Sequence, residues 1–188
     1  MMRIITGRAR GVRLETLPGE ATRPTLERTK EAVFSMIQFS VRDARVLDLF
    51  AGSGQLGLEA LSRGAKHAIF CDRSREAAAI IKKNIEKTRL GDFCEVFCSD
   101  FRALPATLRE PFDLVFLDPP YAIGAIPEAL RLLLSRSLLS DGAIIVCESG
   151  AEADVFGGDD ALAARFTVAK QARYGAAFVT VLNYLERK

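Results

Sequence analysis

The stretch Arg45-Val46-Leu47-Asp48-Leu49-Phe50-Ala51-Gly52-Ser53-Gly54-Gln55-Leu56-Gly57 decides how the rest of the chain is read. It opens as a run of strand length, Val46 to Phe50, apolar but for Asp48, passes through small residues and leads into a helical pattern from Gln55 to Arg63. Glycines at such a junction let the backbone turn sharply and approach a ligand closely, which is how a doubly wound α/β sheet binds nucleotide-like molecules. The loop Gly52-Ser53-Gly54-Gln55-Leu56-Gly57 matches the dinucleotide fingerprint, and Asp72 lies downstream where an acid can bind ribose hydroxyls. A nicotinamide dehydrogenase is therefore one reading. Asp48 argues against it, because a carboxylate just before the glycines suits a ligand's ammonium group and repels a pyrophosphate.

Outward from this stretch, strand and helix patterns alternate. His67 to Cys71 reads as a strand, and Ser74 caps a helix with Ala77, Ile80, Ile81, Asn84, Ile85 and Thr88 on one face and Gly91 placed to stop it. Cys94 to Cys98 and Phe112 to Leu117 read as further strands, Ile126 to about Ser135 as a helix, and Ala143 to Cys147 as a strand after the turn Asp141-Gly142. Apolar strands separated by helices belong in a parallel sheet covered on both faces. The alternation then breaks. Beyond a Gly- and Asp-rich stretch, Gly150 to Asp160, expected to be mobile, Phe166 to Tyr174 and Phe178 to Leu185 flank Gly175-Ala176 as an antiparallel pair closing the sheet edge.

Upstream, Arg3 to Thr6 and Val12 to Leu17 are short β-type runs around Gly7-Arg8-Ala9-Arg10-Gly11, a basic hairpin, followed by a linker from Pro18 to Pro24. Thr25 can cap a helix that has Glu27 in its first turn and buries Val33, Met36 and Ile37 until about Phe39. The predicted fold is thus α/β and Rossmann-like, a mostly parallel seven-stranded sheet with an antiparallel C-terminal hairpin and a small N-terminal hairpin and helix extension. Two parts are expected: residues 1–25 as hairpin and linker, 26–188 as the main domain.

Composition narrows the classes. A chain of 188 residues that is 49% hydrophobic can bury one substantial core. It contains no apolar run of the roughly 20 residues a membrane span needs and no secretory leader, so a cytoplasmic protein is expected. Cys71, Cys94, Cys98 and Cys147 read as core thiols rather than a disulfide framework in that compartment. Position 101, three beyond Cys98, is Phe101 and the sole histidine is His67, so no metal site is expected. The net charge of +2 decides little, but its distribution does: the first fourteen residues hold Arg3, Arg8, Arg10 and Arg13 and no acid. With Arg23, Arg28 and Lys30 they form either a solvated flank or a surface for nucleic acid.

A second stretch carries chemistry. Asp118-Pro119-Pro120-Tyr121 follows the strand Phe112 to Leu117. Two prolines stiffen the turn and remove two donors, leaving carbonyls that only accept. A carboxylate, such a carbonyl and an aromatic ring together suit a planar base bearing an amino group. Taken with Asp48, Asp72 and the glycines, a ligand with an α-amino group, a ribose and an adenine fits: S-adenosylmethionine. Asp100 can accept from the adenine amino group while Phe101 packs on its ring. Any one of these acids alone reads equally as a helix cap; four, each at the end of a successive strand, do not.

The chain resembles the RsmD family, bacterial small-subunit ribosomal RNA guanine-N2 methyltransferases. The stretches that carry the resemblance are Met2 to Gly7, Arg23-Pro24-Thr25 with Arg28 to Phe34, Asp48 to Gly54 with Gly57, Glu59 to Ala65, Leu117 to Tyr121, and Tyr174-Gly175. The glycine loop and the Asp-Pro-Pro-Tyr corner are shared by many amino-methyltransferases, whereas Arg23-Pro24-Thr25 and its helix are more particular to this family. The resemblance implies a class I fold dependent on S-adenosylmethionine, with Asp48, Gly52, Gly54, Asp72 and Asp100 binding the cofactor. Phe50, Ser53, Gly57, Arg73 and Phe101 belong to the same site, and Asp118, Pro119, Pro120 and Tyr121 hold the target guanine. It further implies 16S rRNA, guanine 966 by family position, as substrate within a 30S particle or its assembly intermediate. Arg8, Arg10, Arg13, Arg23, Arg28 and Lys30 would grip the RNA, and the enzyme would act as a monomer. Two departures stand out: Gln55 where the family has a small apolar residue, and Asp72 where Glu is commoner. A DNA adenine methyltransferase and a non-catalytic nucleotide binder are the competing readings. The first lacks an obvious element for reading a duplex, and the second has no need of Asp118 and Tyr121.

Overall fold

A computed structural model describes residues 2–17, 24–104, 108–120, 124–150, 152 and 154–185, the side chains of 24–26 excepted. The expected alternation forms as β1 (Arg45–Asp48), α2 (Gln55–Ser62), β2 (His67–Asp72), α3 (Arg75–Thr88), β3 (Cys94–Cys98), β4 (Phe112–Leu117), α4 (Ala125–Ser135) and β5 (Leu139–Ser149). It is preceded by α1 (Pro24–Met36) and followed by α5 (Asp160–Ala163), β6 (Phe166–Tyr174) and β7 (Ala177–Tyr184). The sheet order is β3-β2-β1-β4-β5-β7-β6. Neighbours from β3 to β5 run parallel, and β7 is antiparallel to both β5 and β6.

Side chains alternate between two cores, one on each face. Val46, Phe70, Phe116 and Val146 meet α1, α2 and α3, while Leu47, Cys71, Leu117 and Ile145 meet α4 and α5. Fully burying a side chain such as Phe34, Leu58 or Leu130 stabilises by about 1.5–3 kcal/mol. Asp48, Asp72, Asp118 and Glu148 therefore stand at positions whose period places them on the α1–α3 side.

Boundaries moved where local backbone chemistry outweighed pattern. Helix α1 begins at Pro24, a residue suited to a first helical position because its missing N–H needs no partner there, so Thr25 lies within the helix rather than capping it. It ends at Met36, and Phe39, in a separate 3-10 turn, is 92% exposed. Helix α3 is capped by Ser74 as expected, but it is stopped by Arg89 in the left-handed region (φ 58°), not by Gly91. The turn Asp141-Gly142 lies inside β5, where the register against β4 shifts between Phe112 and Leu114. Of the four thiols, Cys71 and Cys147 are buried, whereas Cys98 is exposed and is not a core thiol.

The N-terminal hairpin reduces to one antiparallel bridge, Arg3 to Arg13, with Ile4 N–H donating to Val12 O (2.9 Å) and Gly11 N–H to Ile4 O (2.8 Å). Its apolar residues Met2, Ile4, Ala9 and Leu14 are buried in the same core as α1 and α2. Gly7 makes this approach possible: it has φ +88°, and a Cβ there would fall 1.8 Å from the Ser62 carbonyl oxygen.

Candidate active site

The carboxyl ends of β1 to β4 converge where the strand order reverses, between β1 and β4, and open on a cavity of about 420 Å3. That size lies within the range of small-molecule sites. Asp48, Phe50, Gly52, Ser53, Asp72, Arg73, Asp100, Phe101, Asp118, Pro119 and Pro120 all line it, so residues far apart in the chain meet at one edge of the sheet.

Asp48 ends β1 and is 2% exposed, with one carboxylate oxygen accepting from Gly57 N–H at 3.0 Å. Burial pushes its pKa from 3.8 up to about 7, opposed by that hydrogen bond and aided by the negative charge of Asp72. Asp72 accepts from Gly52 N–H (2.9 Å) with one oxygen and from Ser74 N–H (2.8 Å) with the other. It thus ties the glycine loop to the start of α3, and each oxygen keeps a lone pair for a ligand. Asp100 accepts from Arg102 N–H at 2.9 Å and pairs with the Arg102 guanidinium at 3.3 Å; Glu128 holds the other side of that guanidinium.

Four expected cofactor contacts are differently placed. Gly54 and Gly57 do not line the cavity. Gly54, with φ 77°, is the N-cap of α2, and Gly57 lets α2 sit against β2, since a Cβ there would lie 2.4 Å from the Phe70 ring. Close helix–strand packing is the physical reason for the third glycine. Ser53 is 2% exposed, and its hydroxyl turns inward to Met2 Sδ at 3.4 Å. Phe101 is 5% exposed, tilted against Phe50 (centroids 5.1 Å apart) and covered by the Arg102 guanidinium at 4.6 Å.

At the end of β4, Asp118 is half-buried and has contacts of its own, Pro119 is buried and Pro120 is exposed. Tyr121 and Arg23 lie outside the described residues.

The basic group divides. Arg8, Arg10, Arg13 and Arg28 are exposed, and none of them has an ion pair among the described residues, although Arg8 lies over the Phe93 ring at 4.2 Å. Lys30, expected at the RNA surface, is 2% exposed and is not available there. Its ammonium donates to Arg3 O at 2.7 Å and lies 3.6 Å from the fully buried Glu59. Glu59 also accepts from Ile5 N–H (2.8 Å), Thr6 N–H (3.0 Å) and Arg63 Nε (2.8 Å). A buried acid requires such partners, and this one fastens the hairpin and α1 to α2. Burial, the largest effect, holds the Lys30 pKa below its ordinary value despite Glu59.

Several residues of the site were not anticipated. Arg102 orders Asp100, and Leu17 and Leu56 add apolar wall. Asn84, assigned only to a helix face, accepts from Glu15 N–H (2.7 Å) and donates to both Glu15 O and Ser53 O (2.9 Å each), clipping the N-terminal segment to the glycine loop. A polar residue in the middle of an apolar helical stripe is the signal that would have found it.

Comparison with known proteins places these features in context. A family model described as "Conserved hypothetical protein 95" matches residues 2–183. The putative rRNA methyltransferase YlbH of Bacillus subtilis is 40% identical over 82% of this chain and 85% of its own. Ribosomal RNA small subunit methyltransferase D of Escherichia coli K12 is 37% identical over 80% of this chain and 76% of its own. A solved structure described as the putative methyltransferase yhhF from Escherichia coli superimposes with a TM-score of 0.84 at 31% identity, covering 99% of both chains.

Proposed function

The chain belongs to the RsmD family, and from that premise we propose that it transfers a methyl group from S-adenosylmethionine to the exocyclic N2 of a guanine in 16S rRNA. The family position is guanine 966, in an assembled or partly assembled 30S particle in the cytoplasm, with the enzyme acting as a monomer. The observation that carries this reading is the cavity itself. Acids from four consecutive strands line it, and a Pro-Pro turn whose carbonyls can only accept stands at its rim.

The residues present fit the cofactor. Asp72 keeps acceptor capacity for a pair of hydroxyls, Asp48 places beside the glycine loop a buried carboxyl that a ligand's ammonium would hold ionised, and Asp100 and Phe101 border the third strand end. Leu49, Leu56 and Ala125 give apolar wall. When bound, S-adenosylmethionine supplies a methyl group activated by a sulfonium.

The protein's part is to make a poor nucleophile competent. The guanine N2 lone pair is delocalised into the ring, so attack requires the nitrogen to pyramidalise. Asp118 and the Pro119 carbonyl would accept hydrogen bonds from the amine's two N–H groups and so orient its lone pair for attack, and the proton that the methylated, cationic N2 sheds would pass to Asp118; this is catalysis mainly by position and electrostatics. The resemblance assigns stacking on the base to Tyr121. Extruding a base costs a few kcal/mol and stacking returns about 1–3 kcal/mol, so an unpaired loop nucleotide is favoured as target. Arg8, Arg10, Arg13, Arg23 and Arg28 contact phosphates and hold the RNA.

The test is incubation with labelled S-adenosylmethionine and, separately, free 16S rRNA, 30S particles lacking the modification, and DNA, followed by nucleoside analysis. N2-methylguanosine from the ribosomal substrates is expected. Label in methyladenine, or none in any nucleic acid, overturns the proposal.

A further inference from the structure

Beside the main cavity, and sharing Gln55, Leu56 and Asp118 with it, lies a notch of about 20 Å3 whose wall is completed by Thr29, Lys30, Val33, Val146 and Glu148. A space of that size holds a water molecule or the polar edge of a ring, not a whole base. The two acids are neighbours by construction. Leu117 of β4 pairs with Cys147 of β5, so Asp118 and Glu148 each follow one residue on in adjacent parallel strands, about 4.8 Å apart. Both also fall on the same face by the period-two alternation, below Phe116 and Val146.

Two carboxylates side by side form an acceptor-rich edge that suits a ligand with adjacent donors, and Lys30 on the same wall offsets part of their mutual repulsion. Resting on the methyl-transfer reading above, we propose that Glu148 determines base specificity: it accepts N1–H of the target guanine while Asp118 accepts from N2–H. Glu148 and Asp118 have other contacts, but a carboxylate offers about four lone-pair sites, so one more donor is accommodated. The Watson–Crick edge of guanine presents N1–H and the N2 amine as adjacent donors. The edge of adenine presents a bare N1 lone pair, which would face the Glu148 carboxylate and be repelled. Sites built to hydrogen-bond a donor reject analogues lacking it by large factors, because their own polar group is left unpaired. Glu148 sits on the sheet rather than in the glycine loop, so its role is separable from cofactor binding.

The test uses 2,6-diaminopurine, which keeps the N2 amine but carries an acceptor at N1. Substrate RNA or reconstituted particles are made with guanine or 2,6-diaminopurine at the target position, and kcat/KM is measured for the wild type and Glu148→Gln. A Gln amide can accept from N1–H or donate to a bare N1. The wild type is expected to prefer guanine by more than about 100-fold, and Glu148→Gln to bring the ratio below about 10-fold. Because the readout is a ratio within one variant, a general loss of activity does not mimic it. Two results overturn the inference alone: a wild type that treats both bases alike, or a preference that survives Glu148→Gln unchanged. Failure of the wild type to methylate guanine overturns both it and the reading it rests on.

Discussion

Replacing Asp48 with asparagine should change how the protein's stability depends on pH. The carboxyl is 2% exposed, and its pKa is pushed from 3.8 to about 7, which corresponds to roughly 4 kcal/mol of penalty on the ionised form. Below pH 4 both the folded and unfolded states hold the proton. Between about 4 and 7 the folded state keeps a proton that the unfolded chain has released, so stability falls as pH rises through that window and levels off above it. An asparagine side chain is not ionisable and its amide oxygen can still accept from Gly57 N–H, so Asp48→Asn should lack this slope. For a chain of this size each kcal/mol moves Tm by about 2–4 °C, so the Tm difference between variant and wild type should grow by roughly 10 °C from pH 4 to 7.5. Thermal melts at matched ionic strength across that range read it directly, and other titrating groups cancel in the difference. S-adenosylhomocysteine, whose ammonium would face the ionised carboxylate, should stabilise the wild type more at pH 7.5 than at pH 5.5. A Tm difference that stays constant from pH 4 to 7.5 would refute the assignment of Asp48 as a buried group titrating near neutrality.

Asp72→Ala should weaken cofactor binding by about 1.5–3 kcal/mol through loss of a charged acceptor, whereas Asp118→Ala should abolish turnover and leave cofactor affinity nearly intact. Calorimetric titration separates the two, and a large affinity loss in Asp118→Ala would contradict the division. For RNA binding, each phosphate contact to a single strand steepens the salt slope by about 0.7. Replacing Arg10 and Arg13 with Ala should therefore flatten it by about 1.4, and adding Arg8 should bring the change to about 2; an unaltered slope makes the hairpin a solvated flank. Lys30→Met should lower Tm by several degrees, since removing one partner of a buried pair costs about 3–5 kcal/mol, while leaving the salt slope unchanged; a flattened slope would return Lys30 to the RNA surface. Gly7→Ala, whose Cβ would collide with the Ser62 carbonyl, should detach the hairpin and expose it to limited proteolysis, and wild-type resistance would show that the hairpin is not seated on α2 in solution.

The strands and helices were legible because their signals are local. An apolar run bounded by glycines, or a stripe at Ala77, Ile81, Asn84 and Thr88, specifies an element through contacts within a few residues, and β3, β4 and β6 formed at the boundaries the pattern predicts. The chemistry of the strand ends was legible for the same reason. In parallel strands joined by helices, acids that close successive strands must arrive at one edge, so Asp48, Asp72, Asp100 and Asp118 form one group in the sequence itself. Which way each polar group faces emerged only with the packed chain, because it depends on partners far along the sequence. Lys30 is one of several basic residues in the N-terminal part of the chain, yet it is buried because Glu59, on another helix, gives its ammonium a counter-charge. Gly57 reads as a ligand contact until the Phe70 ring is seen against it, and Glu148 carries no motif at all until the register of β4 and β5 sets it beside Asp118. Local residue patterns thus dictate the order of elements and the edge where the site forms. Long-range packing selects which of the residues there face a ligand and which hold the fold together.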